Sequence, residues 1–153
     1  MYKLCSSRAI CFALSSLLSF CASVSIAEEI EKTHSVEITV TGHKVIAGTT
    51  MVAIYNNKKD FDSNLTPLKG ASRAVSYTNE SFTFDDLPSG DYAIKLFQDV
   101  NDNGYLDFAS TGIPTEPWGL SSLNTQQVLM RAPQFEDAVF SLHGDMKMTV
   151  QLR

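Results

Sequence analysis

The nine residues DVNDNGYLD, at positions 99–107, carry hard oxygen donors at a regular spacing and include no Lys or Arg. Alternate side chains supply a carboxylate or an amide, and Gly104 stands where a tight loop needs a sharp turn. Ca²⁺ binds oxygen ligands, which an EF-hand loop supplies from its positions 1, 3, 5, 7 and 9. This register predicts a Ca²⁺ site formed by Asp99, Asn101, Asn103, the carbonyl oxygen of Tyr105, and Asp107.

The segment departs from a true EF-hand loop in two respects. Position 12 is Ser110 instead of a bidentate Glu, and the segment before the loop has the pattern of a strand instead of a helix. We therefore expect a modest affinity, with a Kd of about 10⁻⁴–10⁻³ M, as in extracellular calcium modules. Glu116 and Asp137 are the candidates to fold back as a further ligand.

A plain hairpin turn is the alternative interpretation of the same segment. Asn103-Gly104 between apolar strands is typical of a type I′ turn, and Asp and Asn are ordinary turn residues. Three carboxylates without a compensating cation, those of Asp99, Asp102 and Asp107, repel one another where they converge. That repulsion favours the metal site, but it leaves the hairpin open.

The segment TGIPTEPWG, at positions 111–119, holds the only Trp of the chain. In a carbohydrate- or peptide-binding module, Trp118 would stack on the ligand and Glu116 would hydrogen-bond it. In the alternative, Ile113 and Trp118 plug an open end of the core. We favour the plug, because aromatic side chains are on average highly buried.

The sequence gives little support to catalysis. A hydrolase could use Asp107 and Glu116 as a carboxylate pair, as glycosidases do, but the acidic residues of an acidic chain are usually solvated. The three histidines lack the spacing of metal ligands, and Ser121-Ser122 lacks a Gly-x-Ser-x-Gly elbow. We therefore expect a protein that is not an enzyme and has a structural or ligand-binding role.

The first 27 residues are typical of a secretory signal peptide. Lys3 and Arg8 form a basic start, an uncharged apolar stretch follows, and a small-x-small cleavage site ends at Ala27. Several serines interrupt the stretch, which argues against a transmembrane anchor of about 20 apolar residues. We predict a periplasmic or secreted protein with a signal peptide at 1–27, a leader at 28–34 and one domain at 35–153.

Cleavage at this site would change the charge and the chemistry of the chain. It removes all three cysteines and two of the 12 basic residues, which leaves 10 basic against 17 acidic residues and a formal charge of −7. No basic cluster exceeds the pair Lys58-Lys59. Nucleic-acid binding and direct attraction to anionic lipid are therefore disfavoured. The sequence identifies no partner, although a cell-envelope or glycan partner fits an exported protein.

Alternating apolar residues predict short strands throughout the domain. Residues 91–98 are apolar on both faces, so they predict a central strand that leads directly into the loop. A single helical turn is expected within 57–70, with Phe61, Leu65 and Leu68 capping the core. The other predicted strands lie at 35–42, 49–56, 71–78, 81–84, 134–142 and 146–152.

About seven short strands without a long amphipathic helix predict an all-β fold. The expected architecture is an antiparallel sandwich of the Ig-like or prealbumin-like kind. Residues 101–132 are long, irregular and rich in Gly, Pro, Asn and Ser. Loops of this length in a compact domain are usually functional or flexible, which adds weight to the segment as a site.

Three segments in order resemble the DUF2141 family of exported bacterial proteins: FTFDDLPSGDYAIKLFQDVNDNGYLD, TGIPTEPWGLS and APQFEDAVFSL. The resemblance covers about residues 36–152 and implies an exported β-sandwich without a known reaction. The first segment is also similar to repeats of prealbumin-like and Cna-B-like sandwiches. Gln98 stands where the family usually has His, so any proton transfer by that His would be lost here.

Overall fold

The structure is a computed structural model that describes residues 32–122, 129 and 131–153. The predicted signal peptide at 1–27 lies outside the described residues. Eight strands and two short helices make up the described chain: β1 Thr33–Thr41, β2 Thr49–Tyr55, α1 Lys58–Asp62, β3 Lys69–Ala74, β4 Glu80–Pro88, β5 Gly90–Asp99, β6 Trp118–Leu120, α2 Phe135–Ala138, β7 Val139–Leu142 and β8 Met146–Gln151.

The strands form two sheets that pack face to face. In the smaller sheet β1 lies between β4 and β8, and in the larger sheet the order is β3-β2-β5, with β6 and β7 both paired to the far side of β5. This arrangement confirms the predicted all-β sandwich. One pair departs from the antiparallel expectation, because β1 and β8 run parallel. Both strands begin at the same end of the sandwich and run toward the end that carries residues 99–107, which we call the candidate loop.

The core lies between the two sheets and follows the period of two in the sequence. Along β1, Val36, Ile38 and Val40 are buried while the residues between them are partly exposed. Ile54 of β2 and Ile94 of β5 enter the same cluster from the larger sheet. Alternation with β-branched residues therefore directs one face of each strand inward.

The outer face of the larger sheet carries a second apolar cluster. Tyr55 and Ala93 project from the sheet, and Phe61 of α1 and Ala138 of α2 cover them. Asn57 caps α1 by accepting a hydrogen bond from the backbone N–H of Asp60, at 2.9 Å. The two short helices thus close a face that would otherwise expose aromatic rings.

Several local predictions were wrong. Leu65 and Leu68 are exposed and do not cap the core, although Phe61 is buried as expected. Residues 134–142 begin with the helix α2 and not with a strand, because Asp137 accepts a hydrogen bond from the backbone N–H of Gln134 and so closes a capping box. The irregular region 101–132 contains β6.

Three connections meet at one end of the sandwich, which we call the site end: residues 42–48, 75–79 and 100–117. The strands that flank them are paired there, with Thr49 opposite both Ala74 and Asp99. No helix in the described residues has the length and apolar character needed to cross a membrane.

Candidate functional site

The candidate loop leaves the larger sheet at the end of its central strand. β5 ends at Asp99, which is only 2% exposed. The β1–β2 connection packs against this point so closely that a β-carbon at Gly48 would overlap the carbonyl oxygen of Asp99. Gln98 holds the same connection, because its Nε2 donates hydrogen bonds to the carbonyl oxygens of Val45 and Ala47, at 2.9 and 2.8 Å. Asp99, the first predicted ligand, is therefore held in place by the β1–β2 connection that packs against it.

Asp99 shapes the turn that follows it. Its Oδ1 accepts a hydrogen bond from the backbone N–H of Asn103 at 3.1 Å, and its Oδ2 accepts one from Gly104 at 2.6 Å. The backbone has positive φ at Asp102 (56°) and at Gly104 (85°). Gly adopts this conformation freely and Asp tolerates it better than most residues, so the local sequence suits the tight reversal.

Asp107 receives the amide groups of the two asparagines. Nδ2 of Asn101 lies 2.8 Å from one carboxylate oxygen, and Nδ2 of Asn103 lies 3.1 Å from both. Because the backbone of Asn103 also donates to Asp99, this one residue links the two carboxylates. Oδ1 of Asn103 in turn accepts a hydrogen bond from the backbone N–H of Tyr105, at 2.8 Å. Hydrogen bonds thus connect all five residues of the predicted set.

Glu116 folds back onto the loop, whereas Asp137 does not. The carboxylate of Glu116 is buried and accepts backbone hydrogen bonds from Val100 at 2.8 Å and from Asp107 at 3.0 Å. It therefore ties the first residue after β5 to the far side of the turn. Asp137 binds Arg131 instead, at 2.6 Å, and that hydrogen-bonded guanidinium holds the pKa of the Asp137 carboxyl below its usual range.

Within the described residues, the acidic groups of the loop 99–107 accept hydrogen bonds from neutral donors and form no ion pair with a cationic side chain. Asp102 accepts a hydrogen bond from the hydroxyl of Thr49 at 2.8 Å. The ion pairs among the described residues involve other acids. The described residues contain no group of three or more His, Cys, Asp or Glu side chains that could hold a metal ion. The predicted set has two carboxylates, and amide and carbonyl oxygens make up the rest.

Trp118 and Ile113 have different surroundings. Trp118 is half-buried in β6, where it packs against the apolar cluster on the outer face of the larger sheet. The guanidinium carbon of Arg153 lies 4.4 Å from the centroid of the Trp118 ring. Ile113 is 65% exposed, so its predicted place in a plug is wrong. The binding module centred on Trp118 and the hydrolase that uses Asp107 and Glu116 stay predictions.

A buried polar cluster beneath the site end was missed by the sequence analysis. The hydroxyl of Thr50 lies 2.8 Å from Nε2 of His43 and donates to Oε2 of Glu80 at 2.7 Å. Nδ1 of His43 is 3.0 Å from the carbonyl oxygen of Thr78, in the β3–β4 connection. The available signal was Thr50 itself, which shares the inward face of β2 with Val52. A polar residue on an apolar face requires a buried partner.

The comparisons with known proteins yield one match. A family model described as "Uncharacterized protein conserved in bacteria (DUF2141)" matches residues 38–151. No curated protein and no solved structure matches the chain. The predicted similarity to prealbumin-like and Cna-B-like sandwiches is therefore not confirmed.

Proposed function

This chain belongs to the DUF2141 family of bacterial proteins, whose description assigns no activity, and we propose that it is a non-enzymatic β-sandwich whose loop 99–107 binds Ca²⁺. One observation carries the proposal. Asn103 lies within hydrogen-bond distance of both Asp99 and Asp107, so two carboxylates converge on one residue. Among the described residues, neither carboxylate forms an ion pair with a Lys or Arg. Carboxylate, amide and carbonyl oxygens are the ligands that Ca²⁺ prefers.

The hydrogen bonds of the loop are compatible with an incoming cation. Each carboxylate and amide oxygen has two lone pairs, so an oxygen that accepts one backbone hydrogen bond still has one to offer. The amide groups of Asn101 and Asn103 now donate to Asp107. A bound Ca²⁺ would replace these donors at Asp107, and the two side chains would turn their oxygens toward the ion.

The proposed cellular setting follows from the amino-terminal sequence. A cleaved signal peptide at 1–27 would deliver the domain to the periplasm or the medium, where extracellular calcium modules of modest affinity work. The cleaved chain would have no cysteine and therefore no disulfide. A bound metal is one of the remaining ways to tie a long loop to the sandwich. The proposed role is structural or ligand-binding.

We expect added Ca²⁺ to raise the melting temperature and a chelator to reverse the effect. Only the folded loop collects the ligands, so at a concentration about 100-fold above Kd the ion should stabilise the fold by about 2.7 kcal/mol. Thermal unfolding followed by circular dichroism measures the effect. Mg²⁺ serves as the comparison ion, because it demands a near-ideal octahedral geometry that this loop was not predicted to supply.

The matched variants are Asp107→Asn and Asp102→Asn. Each removes one negative charge from the same loop, but only Asp107 belongs to the predicted ligand set, and Asn at 102 can still accept the hydrogen bond from Thr49. The Ca²⁺ response should disappear in Asp107→Asn and persist in Asp102→Asn. A wild-type melting curve that does not move at about 100 mM Ca²⁺, which is about 100-fold above the upper end of the expected Kd, would refute the proposal. Equal losses in the two variants would refute it as well.

A further inference from the structure

Exposed apolar side chains are concentrated at the site end. Of the nine large apolar side chains that are exposed in the described residues, seven lie in the three connections of the site end. Four of these lie in residues 100–117, where Tyr105 is 76% exposed and Ile113 65%. Single apolar residues on a surface need no explanation, but a concentration of them at one place marks an interaction site.

The three connections hold these side chains on an ordered platform. The backbone N–H of Val75 donates to the carbonyl oxygen of Gly48 at 2.9 Å, and His43 bonds Thr78 across the same two connections. The longer connection is tied down by Glu116 and by a backbone bridge between Phe108 and Pro114. The apolar groups therefore remain in water although the backbone beneath them is well bonded.

The same surface is acidic. Residues 99–117 contain four carboxylates and no Lys or Arg. Asp102 is exposed and Asp107 is partly exposed, whereas Asp99 and Glu116 are buried. In the three connections of the site end, all of which lie in described residues, Lys44 is the only Lys or Arg. The surface thus combines a negative field with exposed aromatic and aliphatic groups.

From this combination we infer that the site end docks a cationic, apolar segment of another protein. Charge complementarity selects the occupant, because Lys or Arg would find the carboxylates of Asp102 and Asp107 beside the apolar contact. The ion pairs among the described residues use neither of these acids. A second copy of this chain would bring the same acidic groups together, and an anionic membrane would be repelled. The inference is tested apart from the Ca²⁺ proposal, because Ca²⁺ bound at Asp99 and Asp107 would neutralise part of the same charge, whereas Asp102 lies outside the predicted ligand set.

Binding to a short amphipathic helical peptide of Leu and Lys tests the inference. The peptide carries a fluorescent label, its anisotropy is titrated with the protein, and a chelator is present so that Ca²⁺ has no part in the result. We expect saturable binding that weakens as salt is added. The same peptide with Glu in place of Lys should not bind.

Two double variants locate the contact. Phe108→Ser with Ile113→Ser removes exposed apolar groups from the site end, and Leu65→Ser with Leu68→Ser removes exposed apolar groups from the 56–68 connection at the opposite end. The first should weaken binding by about tenfold or more, the size expected when central apolar contacts are lost. The second should leave binding unchanged.

Several results would overturn the inference. Equal binding of the Lys and Glu peptides, or equal losses in the two double variants, would remove the specific docking surface. Self-association in sedimentation experiments that the Phe108 and Ile113 substitutions abolish would assign the surface to a second copy. Binding to phosphatidylglycerol or phosphatidylcholine vesicles in place of the peptide would assign it to a membrane.

Discussion

At the scale of single residues, the side chain of Thr50 has the clearest structural consequence. Its hydroxyl stands between His43 and Glu80, and all three side chains are buried. Because buried polar groups must be hydrogen-bonded, one hydroxyl supports two partners that come from different parts of the chain. The cluster ties the β1–β2 connection to the start of β4, directly below the site end.

Replacing Thr50 with Val should lower the free energy of unfolding by about 2–3 kcal/mol. The substitution removes the hydroxyl but keeps a branched side chain, so it leaves two buried polar groups without their partner. Urea unfolding at neutral pH measures the change. Thr50→Ser is the matched control, because it keeps the hydroxyl and loses one methyl group. If Val is tolerated as well as Ser, the hydrogen bonds are not what holds this cluster.

The residue scale also separates two roles among the acidic groups. Asp99 and Asp107 are bonded to the residues of the turn itself, whereas Glu116 bonds the backbone on both sides of it. The sequence predicts three alternative roles for Glu116: a further metal ligand, a contact to a bound sugar or peptide, and a reactive carboxylate. Its two backbone hydrogen bonds make it a brace that positions the proposed ligands.

At the scale of elements, β5 organises the molecule. It pairs with β2 along one side and with β6 and β7 along the other, and it delivers Asp99 to the site end. Its outer face also holds α1 in place. Nζ of Lys95 donates to the carbonyl oxygen of Phe61 at 2.5 Å and lies 3.9 Å from the centroid of the Phe61 ring.

Lys95 makes the stability of the fold dependent on pH. Burial lowers the pKa of Lys95 from its ordinary value of 10.5 to about 8. Between these two values the unfolded chain binds more protons than the folded chain, so the free energy of unfolding should rise with pH. Denaturant unfolding at several pH values measures this rise. It should be absent from Lys95→Met, and parallel pH curves for the two proteins would contradict the prediction.

At the scale of the whole molecule, the stability of the described domain rests on the apolar layer between its two sheets. That layer takes residues from both sheets. β8 contributes Val150, and Leu152, which follows β8 close to the site end, belongs to the same cluster. The site end, in contrast, keeps much of its apolar surface in water. The core therefore accounts for folding, and the exposed groups call for a separate explanation.

A matched pair of substitutions separates these two kinds of apolar residue. Ile38→Ala empties a fully buried site in β1 and should cost about 2–5 kcal/mol, because it removes packed methyl groups and leaves a cavity. Ile46→Ala makes the same chemical change on an exposed side chain and should alter stability by less than about 0.5 kcal/mol. Urea unfolding of both variants measures the difference. A large cost at Ile46 would mean that the site end is part of the core.

Local patterns in the sequence predicted much of this protein. Alternation along 35–42 predicted β1, the more apolar segment 49–56 predicted β2, and the apolar run at 91–98 predicted the central place of β5. These predictions succeed because the period of a strand and the burial of one face are properties of adjacent residues. The predicted ligand set also proved to be linked by hydrogen bonds, because its members lie within nine residues of one another.

Contacts between distant residues were decided by the tertiary structure alone. The parallel pairing of β1 with β8, the return of Glu116 to Val100 and the meeting of His43 with Glu80 all join segments that the local pattern does not connect. The exposure of Ile113 is of the same kind, because it depends on what packs nearby and not on the residue type. The sequence by itself determined which segments become strands and which oxygens lie close together in the loop. Only the packing of the two sheets decided what braces that loop, since the partners are brought together when both sheets bury their apolar faces.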